Sequence, residues 1–528
     1  MERAASEGRD RLKQGRPKVN NPRYRMVLNG VVALVVAHFA CLPASAQVSK
    51  EALESISTPD QVETSIGTLE FFDGIPTRET ADLLYDNLDF LRGVETFLNG
   101  IPAASVEALR RGQEGLGAGS SNQVLILDQL MDSKPLFLTG NTDTVYASAF
   151  LDLLRDGPTV IEIPPGTGPG TVNDAYFRFV IDTGAPGPDR GEGGKYLILP
   201  PDYEGPVPEG YFTAESTSYV NWLILRGFLV DGEPDFSSNL FRTGLKVYPL
   251  AKADDSPAME FINGSERAFN TVHANSFEFF EELHSVIERE PVAMLDPELR
   301  GLFASVGIQK GKPFAPDARM KKILTDAVAV GNGTARALLW HERNNSEFLA
   351  EGSHWKKGFV GDSWEYLRDE GMGGRHLDAR THFYYFATVN TPAMAMKLIG
   401  AGSQYAWGYL DSEGNYLDGS KTYRLNLPKD PPVEAFLSVV VYDPQTRSEL
   451  QTGQPFPAKN NVRDEDTLVY NDDGSLDLYF GPEAPDGREA NWIQTVPAKG
   501  WFSLLRLYSP TEAWFDREWL PGEFEIVE

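Results

Sequence analysis

Cysteine is almost absent from this chain, which has one, Cys41, in 528 residues. A single cysteine cannot form an intramolecular disulfide, so a disulfide-stapled fold is excluded. Basic residues are also scarce, because 48 Lys and Arg face 76 Asp and Glu, for a net charge of −28. Binding to phosphate backbones or anionic lipids needs clustered Lys and Arg. The composition therefore excludes a general nucleic-acid or anionic-membrane binder.

Several catalytic and cofactor motifs are missing as well. The chain has no H-E-x-x-H and no G-x-S-x-G, so it lacks the usual zinc-protease helix and the usual nucleophile elbow. A Gly-rich segment, 187–196, resembles a phosphate loop, but Asp189 stands where its first glycine should be and Tyr196 replaces the Ser or Thr after Lys195. We therefore predict no metal site and no cofactor.

The first 46 residues have the three parts of a secretory signal peptide. Eight Lys and Arg between Arg3 and Arg25 precede an apolar stretch, 27–42, and then Ala44-Ser45-Ala46. The alternative, a single membrane anchor, fits less well because the apolar stretch is short and interrupted. Cleavage after Ala46 leaves 40 Lys and Arg against 73 Asp and Glu, a net charge of −33, and no cysteine. We predict a periplasmic or secreted protein without a stable membrane anchor.

Helical periodicity begins soon after this segment. Thr77 can cap a helix whose apolar stripe is Leu84, Leu88, Leu91 and Leu98. The Gly-rich run Gly112–Ser121 predicts the loop that follows.

Short apolar runs separated by Gly and Pro clusters then continue to Leu250. Examples are Thr159–Ile163, Tyr196–Leu199 and Tyr219–Val230. Many short strands with Gly/Pro turns are typical of a β-sandwich. We predict an N-terminal domain over 47–255 with this fold.

The hydrophobic period changes to helical over 256–352 and back to strands over 353–528. One predicted helical stripe starts at His273 and continues through Phe277, Phe280 and His284. The C-terminal part has alternating strands and hairpin turns, which predict a jelly-roll-like sandwich. The predicted fold class is therefore mainly β, with a sandwich, a helical middle module and a C-terminal jelly roll.

The densest polar cluster runs from Thr139 to Tyr146. In one interpretation Asn141 and Asp143 cap a loop by hydrogen-bonding backbone amides. In the other the cluster faces a pocket also lined by the helical module, with Asp143 as general acid or base and Tyr146 as donor. Asn141 would then orient both side chains.

A charged stripe lies within the predicted sandwich. Asp174, Arg178 and Asp182 follow one another at intervals of four, which on one continuous strand places them on one face. Such a stripe is either solvated or a paired network at an interface or pocket. We take Asp174 and Arg178 as candidate substrate-binding residues.

His273 is the third candidate catalytic residue. On a helix, His273 and His284 would be about 16 Å apart along the axis, too far to share a metal ion. His273 is therefore either a packed histidine or the partner of Asp143 and Tyr146 in an acid–base site.

Two groups of short motifs resemble known bacterial families. Thr68–Pro76, Asn141–Tyr146 and Gly187–Asp189 with Gly193–Pro201 resemble the domain of unknown function 1254. Asp472–Ser475, Gly481-Pro482, Asn491–Ile493 and Arg506–Pro510 resemble its usual partner, the domain of unknown function 1214. The resemblance implies a β-sandwich, a helical segment and a jelly roll, often assembled as a homo-oligomer, with no settled activity. Lys195 lies in the Gly193–Pro201 motif and is a further candidate substrate-binding residue.

Two classes of function remain open from the sequence. The first is an exported, cofactor-independent hydrolase- or lyase-type enzyme with a site between its domains, acting on a small or polymeric extracellular substrate. The second is a non-catalytic oligomeric envelope protein that binds a ligand or has a structural role.

Overall fold

The computed structural model of the protein describes residues 48–341, Arg343 and 348–527. The predicted signal peptide, residues 1–46, lies outside the described residues. A short helix, α1 (Lys50–Ile56), and three antiparallel strands, β1 (Gln61–Thr64), β2 (Gly67–Phe72) and β3 (Ile75–Pro76), precede a long helix, α2 (Arg78–Leu116).

Local sequence signals set both ends of α2. The Thr77 side chain accepts a hydrogen bond from the Thr80 amide at 3.2 Å, which confirms the predicted N-cap. At the other end Gly117 adopts φ 108°, a left-handed conformation that favours glycine. The loop predicted from Gly112 is therefore wrong for 112–116, which continue the helix. A Cβ at Gly112 would lie 2.4 Å from the Asn270 carbonyl oxygen, so this glycine permits close packing inside the helix.

The predicted N-terminal sandwich is confirmed. Its elements in chain order are β4 (Gln123–Leu127), β5 (Val145–Asp152), α3 (Leu153–Asp156), β6 (Thr159–Ile163), β7 (Gly170–Asp174), β8 (Phe179–Thr183), β9 (Gly194–Leu199), β10 (Phe212–Glu215), β11 (Val220–Gly227), α4 (Asp235–Gly244), β12 (Lys246–Pro249) and β13 (Glu260–Asn263). One sheet has the order β13-β4-β5-β11-β7-β8 and the other β10-β9-β6-β12. Aliphatic side chains from both sheets, among them Ala147, Ile161 and Leu223, form one buried cluster.

Strand pairing continues beyond the residue at which helices were expected. β13 pairs in parallel with β4, so 260–263 belong to the N-terminal sheet. The helices that follow are α5 (Glu278–Arg289), α6 (Pro297–Ser305) and α7 (Ala318–Trp340), and α5, α6 and α7 each pack against α2. The helical stripe predicted from His273 is wrong in its first turn, because α5 begins at Glu278. Asn275 and Ser276 intervene, and their side chains compete with helical hydrogen bonds.

A second sandwich occupies the C-terminal part. Its elements are β14 (Lys356–Lys357), α8 (Leu377–Phe386), α9 (Pro392–Ala395), β15 (Ser403–Gly408), β16 (Tyr423–Leu427), β17 (Val433–Tyr442), β18 (Ala458–Asn460), β19 (Leu476–Gly481), β20 (Trp492–Gln494), β21 (Phe502–Pro510), α10 (Glu512–Phe515) and β22 (Phe524–Ile526). The two sheets have the orders β14-β15-β21-β17-β18 and β20-β19-β16-β22. The finer jelly-roll assignment stays a prediction.

One hydrophobic core joins the two sandwiches and the helices. Phe97 of α2, Trp222 of β11 and Leu504 of β21 belong to the same buried cluster. The sheet of β5 and β11 and the sheet of β15 and β21 therefore approach each other across shared apolar surface. Within the described residues, no helix has both the length and the apolar character needed to cross a membrane.

Candidate functional site

The predicted polar cluster forms a buried loop immediately before β5. Asn141 is fully buried, and its Oδ1 accepts hydrogen bonds from the amides of Asp143 and Thr144 at 3.0 and 3.2 Å. Its Nδ2 donates to the Tyr508 hydroxyl of β21 at 3.0 Å. Asn141 therefore shapes the loop and also ties it to the C-terminal sandwich.

Asp143 extends this connection between the sandwiches. Its carboxylate is fully buried and accepts hydrogen bonds from Ser438 Oγ of β17 at 2.5 Å and Asn460 Nδ2 of β18 at 3.1 Å. The Arg463 guanidinium lies 3.8 Å from Oδ1. These partners assign Asp143 a docking role between the domains, while the catalytic role stays a prediction.

Tyr146 belongs to one of two matching pairs of tyrosine and arginine. On the N-terminal sheet Tyr146 of β5 stands opposite Arg226 of β11, with the guanidinium carbon 5.7 Å from the ring centroid. On the C-terminal sheet Tyr405 of β15 stands opposite Arg506 of β21, at 5.5 Å. We call these four residues the Tyr–Arg cluster. Each sandwich thus contributes one cation and one phenol to the interface between them.

The two guanidinium groups are buried without ion-pair partners. Arg226 is 7% exposed and Arg506 is 4% exposed. No carboxylate oxygen of the described residues lies within 4.0 Å of either group, and the Nε atom of each arginine has no hydrogen-bond partner. Arg506 Nη2 donates to the Gly140 carbonyl oxygen at 3.0 Å and to the Tyr442 hydroxyl at 2.7 Å. Burying an unpaired cation is costly, so this arrangement calls for a functional explanation.

The nearest buried acids do not compensate this charge fully. Burial raises the pKa of Asp182, near Arg226, to about 6, and this carboxyl accepts a hydrogen bond from Thr391 at 2.6 Å. Burial also raises the pKa of Glu449, near Arg506, well above its usual range. With a pKa of about 6, Asp182 is still largely ionised at neutral pH and compensates part of the Arg226 charge from beyond 4.0 Å. The Glu449 carboxyl is less ionised than usual, so the charge of Arg506 keeps the cluster positive.

A cavity of about 40 Å³ lies against all four side chains of the Tyr–Arg cluster. Its lining contains no Asp or Glu among the described residues. The rest of the wall is largely apolar: Phe137, Ile224, Phe359, Phe383, Phe386 and Leu504. Gly358 also borders the cavity, and a Cβ there would lie 2.8 Å from the Tyr405 Cβ. Hence the cavity combines two cations and two phenols with a water-excluding wall.

The protonation states favour hydrogen-bond donation into this cavity. Burial raises the pKa of Tyr146, although Arg226 and Arg506 act in the opposite direction. For Arg226, burial acts to lower the pKa, but the phenols of Tyr146, Tyr508 and Tyr405 raise it overall. The Tyr146 phenol therefore stays protonated and the Arg226 guanidinium stays charged at neutral pH, and both are donors of the kind that an anion requires.

His273 lies elsewhere in the core. It precedes α5 and packs against the rings of Phe97, Phe279 and Tyr385, with centroid separations of 6.3, 5.6 and 6.3 Å. Burial and the nearby Arg447 lower its pKa to about 4, so the imidazole is neutral at neutral pH. Among the described residues no hydrogen bond joins His273 to Asp143 or Tyr146. The structure thus brings Tyr146 to the cavity but does not assemble the three into a hydrogen-bonded site.

The charged stripe predicted on one strand is wrong. β7 ends at Asp174, the chain turns, and β8 begins at Phe179. Asp174 and Arg178 meet across this turn, with Arg178 Nε donating to Asp174 Oδ2 at 2.7 Å. Period-2 spacing holds only while a strand continues, and here a four-residue turn interrupts it. Asp174 and Arg178 border a second, larger cleft, which is described below.

Lys195 lines neither the cavity at the Tyr–Arg cluster nor the cleft beside Asp174 and Arg178. It lies on β9 in the other sheet of the N-terminal sandwich, where its side chain is 51% exposed and pairs with Glu162 at 3.1 Å. Among the described residues, no cluster of three or more His, Cys, Asp or Glu side chains is arranged to hold a metal ion.

Sequence reasoning missed three members of the Tyr–Arg cluster: Arg226, Tyr405 and Arg506. A signal was present for the two arginines, because each interrupts an otherwise apolar strand, in 222–230 and in 501–508. Arg is rarely buried without a partner, so an arginine within a buried strand is an informative observation. Tyr405 carried no comparable signal.

The comparisons with known families agree with the resemblance noted in the sequence. Residues 121–249 match the protein of unknown function family DUF1254, and residues 402–512 match the protein of unknown function family DUF1214. The first match contains Tyr146 and Arg226 and the second contains Tyr405 and Arg506. The cavity therefore lies between the two family segments.

A solved structure shares the fold. The crystal structure of the VPA0106 protein from Vibrio parahaemolyticus superposes with a TM-score of 0.52 at 16% identity, over 83% of this chain and all of that one. An uncharacterized protein from Burkholderia cenocepacia gives a TM-score of 0.38 at 12% identity, over 84% of this chain and 96% of that one. No curated protein matches the chain. The chain thus contains a segment that matches DUF1254, at residues 121–249, followed by a segment that matches DUF1214, at residues 402–512.

Proposed function

We propose that this protein binds a small carboxylate anion in the cavity between its DUF1254 and DUF1214 segments. The observation that carries the proposal is the presence of two buried arginines, Arg226 and Arg506, that border one cavity and lack carboxylate partners among the described residues. Guanidinium groups match the planar carboxylate and form charge-assisted hydrogen bonds with it. A bound anion would compensate the two buried charges.

The dimensions of the cavity limit the size of the ligand. Its volume of about 40 Å³ exceeds what one water molecule needs. By the same measure it holds a group of about three to five heavy atoms, because bonded atoms lie closer together than separate water molecules. A carboxylate with a short apolar tail fits this volume, and the phenylalanine rings suit the tail. Acetate and propionate are accordingly the ligands that we expect to bind.

The geometry favours binding over the hydrolase- or lyase-type chemistry expected from the sequence. Such chemistry needs an ionised base beside the substrate. Burial raises the pKa of Tyr146, so this phenol remains a donor at neutral pH. The Asp143 carboxylate is engaged by Ser438 and Asn460 in domain docking. The binding function that the sequence left as the alternative is therefore the better supported one.

Titration with acetate and propionate at constant ionic strength tests the proposal. Both anions should raise the melting temperature in a saturable way, because a ligand that binds only the folded state stabilises it. Replacing Arg226 by Met should weaken binding roughly 10- to 100-fold, since charge-assisted hydrogen bonds are lost. The same change should leave the unliganded protein as stable as before or more stable, because it removes an uncompensated buried charge.

The partly exposed Arg424 of β16 provides the control. It lies in the other C-terminal sheet and pairs with Glu525 at 2.5 Å, so Arg424→Met should leave acetate binding unchanged. The proposal is wrong if acetate binds R226M and the corresponding R506M variant as tightly as it binds the wild-type protein. It is also wrong if neither anion changes the melting temperature.

Export to the periplasm or the medium is the second part of the proposed function. The basic segment, the apolar stretch and Ala44-Ser45-Ala46 support it. The mature protein isolated from its host should begin at Gln47 when its N-terminus is sequenced. Peptides from residues 26–46 in the exported protein would contradict cleavage at this site.

A further inference from the structure

A second cleft, of about 330 Å³, lies beside the β7–β8 hairpin at the edge of the N-terminal sheet. Its walls come from the turn between β7 and β8, the segment that leads into α6, and residues 364–390. With Pro102 of α2 and Glu215 of β10, several separate parts of the fold thus meet around a space of the size that small-molecule sites have.

The charges that line this cleft nearly cancel. Arg178 donates two hydrogen bonds of 2.7 Å, from Nε to the Asp174 carboxylate and from Nη1 to the Met294 carbonyl oxygen. The same lining contains two further arginines, Arg375 and Arg380, and three further carboxylates, those of Glu215, Asp296 and Glu365. The lining therefore contains three arginines and four carboxylates, so it has no large excess of either charge. In this respect it differs from the Tyr–Arg cluster and favours a ligand without net charge.

Three buried polar atoms of residues in this lining have no hydrogen-bond partner: the Tyr366 hydroxyl, Asn390 Oδ1 and Arg380 Nε. Asn390 is 3% exposed, and its Nδ2 donates to the Phe177 carbonyl oxygen at 3.3 Å. This bond fixes the orientation of the amide and leaves Oδ1 as an unused acceptor. Arg380 is 8% exposed, and while one of its Nη atoms donates to Asn99, its Nε is an unused donor. The lining therefore contains one unused acceptor, one unused donor and one hydroxyl that can act as either.

An aromatic surface completes the cleft. The partly exposed Trp364 packs edge-on against Phe179 with ring centroids 5.4 Å apart, and Tyr176 lines the same space. The carbonyl oxygen of Asn99 accepts a hydrogen bond from the Tyr176 hydroxyl, which holds that ring in place. Fixed rings of this kind present flat apolar area at low entropic cost.

We propose that this cleft is a binding site for a neutral, multiply hydroxylated ring, that is, a sugar unit. A hydroxyl group both donates and accepts hydrogen bonds, so adjacent hydroxyls satisfy Asn390 Oδ1 and Arg380 Nε together. The apolar C–H face of the ring packs on Trp364. A simple anion would satisfy Arg380 but would leave Asn390 without a donor, and a purely apolar ligand would satisfy neither.

Calorimetry and ligand-observed NMR with D-glucose, D-galactose, D-mannose, D-xylose and N-acetyl-D-glucosamine test this proposal on the full mature chain. At least one sugar should bind, and Trp364→Leu should weaken its affinity about tenfold or more. Arg380→Met should weaken it as well. Tyr85→Leu, on an exposed face of α2, should leave the affinity unchanged. Sugar binding should also persist in R226M, because the Tyr–Arg cluster is a separate site.

Three results would overturn the proposal: no sugar of the panel binds, W364L binds as tightly as the wild-type protein, or only charged ligands bind in a manner that depends on Trp364. A W364L protein whose melting temperature matches the wild-type value shows that lost binding does not come from unfolding. If W364L is unfolded, R380M gives the same test independently, because it removes the unused donor without touching the aromatic surface.

Discussion

Replacing Asp143 by Asn is expected to destabilise the protein by about 3 kcal/mol, because it removes one partner from a buried, charged network. The substitution keeps the shape of the side chain but turns one acceptor into a donor. That donor would face Ser438 Oγ or Asn460 Nδ2, which now donate at 2.5 and 3.1 Å. Arg463 would also lose a carboxylate at 3.8 Å, although it keeps Asp464 at 2.8 Å. Urea unfolding followed by tryptophan fluorescence measures the change.

Asp472 provides a matched control for this substitution. It is exposed in the turn just before β19. Asp472→Asn should therefore change the free energy of unfolding by no more than about 0.5 kcal/mol. A D143N protein that is as stable as D472N but no longer binds acetate would contradict the docking role and would favour action of Asp143 on the ligand.

The second large effect is expected at Glu107, which joins α2 to α5. Its carboxylate is 2% exposed and lies 2.9 Å from Arg110, 2.7 Å from Arg111 and 2.8 Å from Arg289. Replacing it by Gln leaves three guanidinium groups without this shared partner. We expect a loss of about 3–5 kcal/mol in the free energy of unfolding.

The pH dependence of this loss follows from the pKa of Glu107. Burial acts to raise this pKa, but Arg110, Arg289 and Arg111 together lower it from 4.5 to about 2. Since the folded-state pKa is the lower one, the stabilisation is fully present above about pH 4.5 and is lost as the pH falls toward 2. The difference in stability between wild-type protein and E107Q should therefore shrink over that range.

Glu114 is the control for Glu107. It pairs with the same Arg110 guanidinium at 2.8 Å but is 55% exposed, so Glu114→Gln should cost less than about 1 kcal/mol. Equal losses in E107Q and E114Q would show that burial of the network contributes nothing, contrary to our expectation.

Local signals in the sequence predicted much of the secondary structure. The Thr77 cap is confirmed, and the predicted strand Thr159–Ile163 matches β6 residue for residue. Such features depend on residues that are close together in the sequence. A capping side chain and the apolar run of a strand can therefore be recognised without the tertiary structure. Three errors, at Gly112–Leu116, at the first turn of the stripe from His273 and at the Asp174–Asp182 stripe, arose where one local pattern is compatible with two different structures.

The candidate site depended on contacts that the sequence does not display. Tyr146 was predicted as a site residue together with Asp143 and His273, but the side chains that surround it are Arg226, Tyr405 and Arg506. Tyr146 and Arg226 become neighbours through the pairing of β5 with β11, and Tyr405 and Arg506 through the pairing of β15 with β21. Strand pairing of this kind joins residues that are far apart in the chain, and no local periodicity encodes it.

The sequence alone determined the class of the fold, the order of the two family segments and the exclusion of an intramolecular disulfide, because composition, hydrophobic period and short motifs are properties of the chain. Only the tertiary structure decided that Asp143 docks one sandwich on the other and that His273 stands apart from it. It also decided that two buried cations share one cavity. The physical reason is that burial and the absence of a partner are properties of the packed interface, and a charge becomes costly only once the fold has removed it from water.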